Sequence, residues 1–293
     1  GQKDTAGDLV PFIPRLRHAY AEVDVGTSQL LVGQTWALVG WEFPTSFNWD
    51  FEFGQGNPYN RVPQIRYTST ALSFMKLSAA VLLNSADNGS AGVIVNKVNE
   101  GTGAIGDNDL PIAQARIEVP ILDGGLIALS GSGGFTNIAF KPDDGSTARP
   151  AFTSSIPGGM VVLFAKVPVS FVTVSGKVWG GSSGGFNSGI KQFAVVDGAG
   201  NVHAVPAGGG WLDVDLKLPL DSLVAAYGSI DNTFTAANDT ALPLQRNWTV
   251  GGVLSTMWAK KVQTGVEVQY AQTDTGIQSF NDVRFSLVAV YWL

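Results

Sequence analysis

The sequence has no cysteine, only two histidines and few charged residues. The absence of cysteine excludes disulfide frameworks, cysteine-based zinc sites and thiol nucleophiles together. The two histidines, His18 and His203, do not have the spacing of metal ligands. The 18 Lys and Arg against 24 Asp and Glu give a formal net charge of −6, which argues against a nucleic-acid-binding surface.

Long apolar runs are also missing. The richest stretch, 159–169, is interrupted by Lys166 and Pro168, so no segment reaches the ~18 apolar residues of a transmembrane helix. The first four residues lack the apolar core of a signal peptide, and we expect either a mature chain or one whose beginning is missing.

The apolar residues instead recur in segments of about ten, rich in Val, Thr, Phe, Tyr and Trp and separated by Gly, Asn, Asp, Ser and Pro. This pattern predicts an all-β protein with about 14 strands in a single domain, 1–293. The predicted strands are 14–25, 29–39, 61–70, 72–84, 110–121, 124–138, 158–168, 170–180, 190–197, 208–217, 222–230, 246–260, 261–273 and 282–293. Short connections such as 123–124 alternate with long ones such as 40–60, as in transmembrane β-barrels.

Alternation within the strands predicts one polar and one apolar face. In 111–121 the polar side chains Gln114, Arg116 and Glu118 share a face, and the other face is apolar. The polar face is either the outer surface of a soluble β-sandwich, of capsid or lectin type, or the lumen of a barrel. Charged residues make up only 14% of the chain, against about 25% in a typical soluble domain, which favours a barrel whose apolar face meets lipid.

The C-terminal segment carries an unbroken apolar face. Its alternate residues are Phe285, Leu287, Ala289, Tyr291 and Leu293. Outer-membrane barrels usually end in this way, with an aromatic residue last; Tyr291 fits the pattern and Leu293 departs from it.

Three short segments stand in a fixed order along the chain: RLRHAY at 15–20, LVGQTW at 31–36 and PQIRY at 63–67. Together with looser matches at 176–179, 246–247 and 265–267, they resemble successive strands of the DcaP-like porins, a family of bacterial outer-membrane channels. The resemblance implies a transmembrane antiparallel β-barrel of about sixteen strands that is usually trimeric and passes small, often anionic solutes such as dicarboxylates. It implies no enzymatic activity and no cofactor. Members of the family carry further strands before the RLRHAY stretch, so we expect either that the first two or three strands are missing here or that fewer strands close the barrel.

Strand parity predicts which side chains line the pore. The predicted pore-lining residues are Arg15, Arg17, Gln64, Arg66, Lys76, Gln114, Arg116, Glu118, Lys166, Lys177, Arg246, Glu267 and Arg284. Bases outnumber acids on the predicted strands, whereas most acids, including Asp231, fall in predicted connections. This distribution predicts a basic constriction that favours anions. The alternative is that the arginines pair with carboxylates and hold the wall together.

The connection 40–60 is the most aromatic in the chain. Its candidate functional residues are Trp41, Phe47, Trp49, Asp50 and Glu52. The loop either folds into the pore as a constriction, which the two acids favour, or latches onto a neighbouring subunit, which the aromatic residues favour.

The sequence therefore predicts a porin of the Gram-negative outer membrane: a homotrimer surrounded by lipid that passes small anions and has no catalytic residues, metal, cofactor or nucleic-acid partner. A second hypothesis is a non-transporting structural or surface-receptor barrel, and a third is the soluble β-sandwich. The acidic turns at 107–109 and 143–145 are interpreted as solvated turns without an ion.

Overall fold

A computed structural model of the chain describes residues 18–47, 56–58, 61–83, 92–95, 104–107, 111–121, 124–140, 152–182, 192–196, 202–234, 246–274 and 278–291. The regular secondary-structure elements within these ranges are β-strands. They are β1 (Ala19–Val25), β2 (Ser28–Trp36), β3 (Arg61–Ser69), β4 (Lys76–Leu82), β5 (Gly92–Val95), β6 (Ala104–Asp107), β7 (Ile112–Ile121), β8 (Gly125–Phe140), β9 (Phe152–Val169), β10 (Val172–Ser182), β11 (Gln192–Val196), β12 (Val202–Ala204), β13 (Pro206–Leu218), β14 (Ser222–Thr233), β15 (Arg246–Trp258), β16 (Val262–Asp274) and β17 (Ser279–Tyr291).

Fourteen of these strands form one large sheet. Its order is β1-β2-β3-β4-β7-β8-β9-β10-β13-β14-β15-β16-β17, and β6 pairs with the far end of β8. All pairs of neighbouring strands in this sheet are antiparallel. A second sheet, which we call the small sheet, has the order β12-β11-β5. None of the described segments is a helix with the length and apolar character needed to cross a membrane.

The large sheet buries polar side chains and exposes apolar ones. On β7, Gln114, Arg116 and Glu118 are buried, with Arg116 only 2% exposed, whereas Ile117 is 43% exposed. On β17, Phe285 is 79% and Leu287 is 87% exposed. A soluble sandwich has the opposite arrangement, so the predicted apolar outer face is confirmed and the soluble-sandwich alternative is wrong.

The buried face of the sheet surrounds an interior. One cluster of buried apolar side chains joins β3, β4, β7, β9, β10 and β13 to the segment that follows β2. Its members include Val62, Leu82, Ile112, Val162 and Trp179. Strands so far apart in the sheet order can share one cluster only if the sheet curls, and this geometry is that of a β-barrel.

Short turns lie at one end of the barrel. Residues 26–27, 170–171, 219–221 and 259–261 form turns between consecutive strands, and Ser170, Asp221 and Lys260 adopt the positive φ that tight hairpin turns require. The connection from β2 to β3 starts from the opposite end, so any part of it inside the barrel enters from the long-loop end.

Two strand predictions need correction. The predicted strand 29–39 ends at Trp36, because Ala37, Leu38 and Val39 turn into the interior and pack on its apolar wall. The predicted strand 190–197 forms β11, but β11 pairs with β12 and β5 in the small sheet rather than in the barrel wall. The large sheet has fourteen strands because β6 forms inside a predicted connection, but β6 pairs with the same edge of β8 as β7 does, so thirteen strands follow one another around the wall. The resemblance implies about sixteen, and the further strands stay a prediction.

Candidate functional site in the barrel interior

A segment of the β2–β3 connection lies inside the barrel. We call its described residues, 37–47 and 56–58, the inner loop. Ala37, Val39 and Asn57 are fully buried, and the inner loop contacts strands from β7 round to β16. Of the two alternatives for this loop, the one that placed it inside the barrel agrees with the geometry of these residues.

Arg116 of β7 is the centre of the contacts on one side of the inner loop. Its Nε donates to Glu118 Oε1 at 2.7 Å, and its Nη1 donates to Leu38 O at 3.2 Å and to Ser130 Oγ at 3.0 Å. Its Nη2 donates to Glu42 Oε1 of the inner loop. A guanidinium supplies five N–H donors in a fixed fork, and here they join the wall to the inner loop.

Glu42 connects Arg116 with a second wall cation. Lys177 of β10 has its Nζ 3.2 Å from Glu42 Oε2 and donates to Glu42 O at 3.0 Å and to Asn57 Oδ1 at 2.8 Å. Lys177 is almost fully buried, so its charge needs this carboxylate. One acid of the inner loop therefore neutralises cations from two wall strands.

The ion pairs extend from Arg116 towards the short-turn end. Lys76 Nζ of β4 lies 2.8 Å from Glu118 Oε2. The ring of Trp41 lies below both cations, with Arg116 Cζ 5.2 Å and Lys76 Nζ 6.0 Å from its centroid. The resulting ionic chain, Lys76, Glu118, Arg116, Glu42 and Lys177, has three bases and two acids.

Gln64 and Arg66 of β3 hold the place where the inner loop leaves β2. Gln64 Nε2 donates to Thr35 O and to Trp36 O, both at 3.0 Å. Arg66 Nη2 also donates to Trp36 O, and Arg66 Nε donates to Gln64 Oε1 at 3.1 Å. These bonds satisfy carbonyl groups that the end of the strand ladder leaves without a partner.

The strands that follow β10 in the sheet order hold the inner loop with carboxylates. On β13, Asp213 accepts from Thr45 N at 3.0 Å, and Asp215 accepts from Thr45 Oγ1 at 3.1 Å. On β16, Glu267 accepts from Ser46 Oγ at 2.5 Å and from Phe47 N at 3.1 Å.

Tyr227 and one further acid complete this wall, and Trp179 of β10 contacts the same part of the inner loop. Tyr227 Oη donates to Glu267 Oε1 at 2.6 Å. Asp231 on β14 accepts from Gly56 N at 2.9 Å and from Asn247 Nδ2 at 2.7 Å. Trp179 Nε1 donates to Gly56 O at 3.2 Å. Gly56 has φ +69°, and a Cβ there would lie 2.3 Å from Gly210 O, so only glycine fits where the inner loop meets β13.

The predicted pore-lining residues fall into three groups. Most lie on the inner face of the wall: Gln64, Arg66, Lys76, Gln114, Arg116, Glu118, Lys177, Glu267 and Arg284, with Lys166 exposed near a turn on the same face as Phe164. Arg246 is a correction, because it shares its face of β15 with the exposed Val250 and Leu254, and that face points outward. Arg15 and Arg17 lie outside the described residues, as do Trp49, Asp50 and Glu52 of the predicted constriction or latch loop. Whether the inner-face residues line a conducting pore stays a prediction.

The sequence argument missed Glu42 and misplaced Asp231. Glu42 stands beside Trp41 in the aromatic connection. An acid in this connection is the property that made Asp50 and Glu52 candidates, and it applies to Glu42 as well. Asp231 was assigned to a connection, but it lies near the end of β14 on the same face as Tyr227. With these acids in place, the interior is basic on one side and acidic on the other.

A polar cavity of about 320 Å³ lies between the inner loop and the short-turn end of β1–β4. We call it the vestibule. Its lining comprises Asp24, Gly26, Thr27, Ser28, Gln29, Leu38, Trp41, Arg66, Thr68, Thr70, Lys76, Ser78 and Glu118. No cluster of metal-ligating residues occurs in the described part of the chain.

Comparison with solved structures identifies the fold. The outer membrane channel DcaP of Acinetobacter baumannii has a TM-score of 0.72 and 17% identity, over 99% of this chain and 77% of that chain. An anion-selective porin from Comamonas acidovorans has a TM-score of 0.56 and 9% identity, over 94% of this chain and 78% of that one. OmpT of Vibrio cholerae is an outer membrane protein that was folded in vitro and solved in its trimer form. It has a TM-score of 0.56 and 12% identity, over 94% of this chain and 80% of that chain.

No protein-family model and no curated protein sequence matches the chain. The likeness to the solved structures shows that the fold is that of a bacterial outer-membrane β-barrel channel, and the predicted similarity to DcaP-like porins is confirmed at the level of the fold.

Proposed function

We propose that the protein is a porin of the bacterial outer membrane that lets small hydrophilic solutes diffuse passively and favours small anions. The observation that carries the proposal is the inner loop, which crosses the barrel and leaves the polar vestibule beside it. A loop held inside a barrel narrows the passage to small solutes, and fixed charges beside the passage then select among them.

The preference for anions rests on which charges reach water. The side chain of Lys76 is 37% exposed, whereas those of its partner Glu118 and of Glu42 are 9% exposed. Beside the inner loop, a solute therefore meets the cation Lys76 more directly than the carboxylates of Glu118 and Glu42. The anion-selective porin with the same fold supports this preference. Small anions include the dicarboxylates that the resemblance implies.

We further propose that the barrel works as a homotrimer in lipid. The exposed apolar side chains of the outer face, such as Val161, Val178, Phe285 and Leu287, suit contact with acyl chains or with a neighbouring subunit. The trimer form of a protein with the same fold supports this assembly.

The test is the reversal potential of the purified, folded protein in a planar bilayer under a potassium chloride gradient. We expect an open channel that prefers chloride, and we expect Lys76→Gln to weaken that preference. Lys261→Gln is the matched control, because it removes the same charge from an exposed turn and should leave the reversal potential unchanged. A preference for potassium in the wild type would contradict the anion proposal.

The second candidate function, a non-transporting structural or surface-receptor barrel, is favoured by the number of anchors on the inner loop. Bonds from β7, β8, β10, β13, β14 and β16 hold it across the interior. The same bilayer experiment separates the two functions. Heat-dependent mobility in detergent gels shows that the protein is folded. If folded protein does not conduct, the porin proposal is overturned and the structural or receptor function is supported.

A further inference from the structure

A groove of about 460 Å³ crosses the outer face of β15, β16 and β17 near their short-turn ends. We call it the outer trough. Six of its nine lining residues have side chains on the outer face: Leu254, Thr256, Thr264, Val266, Leu287 and Ala289. The other three each lie between two of these on the same strand: Ser255, Gly265 and Val288. We infer that the outer trough binds an acyl chain of an anionic glycerophospholipid whose phosphate lies at the turn that joins β15 to β16.

The outer trough exists because a row of short side chains lies between two rows of longer ones. The strand register aligns the short row across the three strands: Thr256, Thr264 and Ala289. On the side away from the turn it aligns a row of aliphatic side chains: Leu254, Val266 and Leu287. On the side towards the turn it aligns a row with two large aromatic side chains: Trp258, Val262 and Tyr291. The depression between these rows can therefore hold a narrow, flexible chain.

The hydroxyl groups in the short row already have partners. Thr264 Oγ1 accepts a hydrogen bond from Trp258 Nε1 at 2.7 Å. Thr256 Oγ1 lies 2.9 Å from Ser222 Oγ of β14, in a second hydrogen bond. Because a hydroxyl group that is hydrogen-bonded within the protein can be buried at little cost, hydrocarbon can cover this row without leaving a polar group unpaired.

The aromatic row places the outer trough at a definite depth in the membrane. Trp258 is 57% and Tyr291 is 58% exposed, and such side chains prefer the level of the lipid headgroups. The outer trough therefore lies on the hydrocarbon side of that level. Since the short turns of outer-membrane barrels face the periplasm, the adjacent leaflet is the inner one, whose lipids are glycerophospholipids.

The turn beyond the aromatic row carries two adjacent cations, Lys260 and Lys261. Lys260 has φ +57°, and Lys261 N donates to Trp258 O at 3.0 Å, so the tight turn holds both lysines directly beyond that row. Both are exposed, and neither forms an ion pair within the part of the chain that the structure describes. Asp221 in the neighbouring turn is an acid at the same end, so two lysines less one acid leave one positive charge beside the lipid phosphate.

The test is native mass spectrometry of the detergent-solubilised protein, which reads bound lipid and oligomeric state in the same spectra. Dioleoylphosphatidylglycerol and dioleoylphosphatidylcholine are titrated separately, because they have the same acyl chains and differ in net charge. We expect half-saturation by the phosphatidylglycerol at a concentration about five-fold lower, as one basic charge near an anionic headgroup predicts. Equal retention of the two lipids would overturn the inference.

A substitution at Ala289 tests the place of the acyl chain. Ala289→Trp fills the short row, and we expect it to weaken retention of both lipids about three-fold or more, because the indole displaces the contacts of several CH₂ groups. Ala79→Trp is the matched control, because it adds the same side chain to an exposed position on the outer face of β4 and should change neither lipid. If Ala289→Trp changes the oligomeric state and leaves lipid retention unchanged, the outer trough is a contact between subunits and the inference is wrong.

A substitution of both turn lysines tests the place of the phosphate. We expect Lys260→Gln with Lys261→Gln to abolish the preference for phosphatidylglycerol and to leave retention of phosphatidylcholine unchanged. Lys166→Gln with Lys217→Gln is the control, because it removes two exposed lysines from the same end of the barrel and should keep the preference. These exposed changes leave the outer trough intact, so they test the inference even if Ala289→Trp does not fold. Loss of the preference in both double variants would contradict a phosphate site at the β15–β16 turn.

The inference needs the barrel in its membrane and does not depend on conduction. A folded barrel that retains phosphatidylglycerol but does not conduct supports the lipid site and overturns only the porin function. A conducting channel that retains the two lipids equally overturns the lipid site and leaves the porin function in place.

Discussion

The two sides of the barrel interior hold the inner loop by opposite chemistry. On β7 and β10, Arg116 and Lys177 donate to the backbone carbonyls of Leu38 and Glu42 and to the Glu42 carboxylate. On β13, β14 and β16, carboxylates accept from the backbone N–H groups of the inner loop and from its hydroxyls. On the cationic wall, β7 and β10, the charged side chains thus meet carbonyl groups, and on the anionic wall, β13, β14 and β16, they meet N–H and hydroxyl groups.

This difference shows how a segment without secondary structure can lie inside a barrel. A buried backbone must find hydrogen-bond partners for its N–H and C=O groups. The backbone groups of the wall strands pair mainly with one another, so they are not available to the inner loop. The walls supply those partners as side chains of the matching sign. The same arrangement produces an electric field across the interior, and the bases that are paired there are not all available to a solute.

The largest effect is expected from breaking the cationic wall. Arg116→Leu would leave Glu42 and Glu118 buried with one cation each, and we expect a loss of about 3–5 kcal/mol in the free energy of unfolding. Urea unfolding in phospholipid vesicles measures this loss. Arg284→Leu is the control, because its pair with Asp282 on β17 is partly exposed and should be worth under about 1 kcal/mol. Similar losses for the two variants would show that the cationic wall does not hold the inner loop.

A smaller effect is expected on the anionic wall. Glu267→Gln keeps the shape of a side chain that accepts from Ser46, Phe47 and Tyr227, and we expect a loss of about 1–3 kcal/mol together with noisier open-channel current. The same unfolding experiment and single-channel recording measure the two effects. Tyr227→Phe removes one of the three bonds and should show a fraction of both, whereas a quiet channel in Glu267→Gln would contradict the anchoring role.

The smallest effect concerns selectivity. Glu118→Gln raises the net charge of the ionic chain from +1, which is three bases less two acids, to +2, which is three less one, and Arg116 keeps Glu42 as its partner while Lys76 is partly exposed. We expect the anion-to-cation permeability ratio to rise about two- to five-fold, because a unit charge near a passage in water is worth about 0.5–1 kcal/mol. Reversal potentials measure the ratio. Glu267→Gln removes the same charge far from the vestibule, so an equal shift in both variants would show that the two walls act as one.

Much of the barrel could be predicted from the sequence, because membrane strands have a strict period of two. The alternation at 111–121 placed Arg116 and Ile117 on opposite faces, and the structure confirms both. The residues after Trp36 were misassigned because Leu38 and Val39 continue an apolar pattern. A strand that faces lipid and a loop that packs on an apolar inner wall both need apolar side chains, so their sequences look alike.

The sequence predicted the wall residues of the candidate site but not the residues of the inner loop that contact them. Parity found Arg116, Lys177 and Glu267, since these positions follow from neighbours in the same strand. It could not find that Glu42 neutralises two of them, because that contact joins residues 74 and 135 positions apart. Arg246 was misplaced because it stands at the first residue of β15, where the sequence leaves the phase of the alternation undetermined.

The hairpin of β8 and β9 is taller than the membrane it stands in. The two strands pair continuously from Leu126 with Lys166 to Phe140 with Phe152, and β9 has 18 residues. At about 3.3 Å per residue and a tilt near 45°, β9 rises roughly 40 Å, against an apolar band of about 25 Å. Because this excess lies at the long-loop end, the outer-membrane function proposed above would place a paired ribbon above the lipid on the cell's outer side. An antibody raised against that ribbon would stain intact bacteria and would mark the protein on living cells without entering its pore.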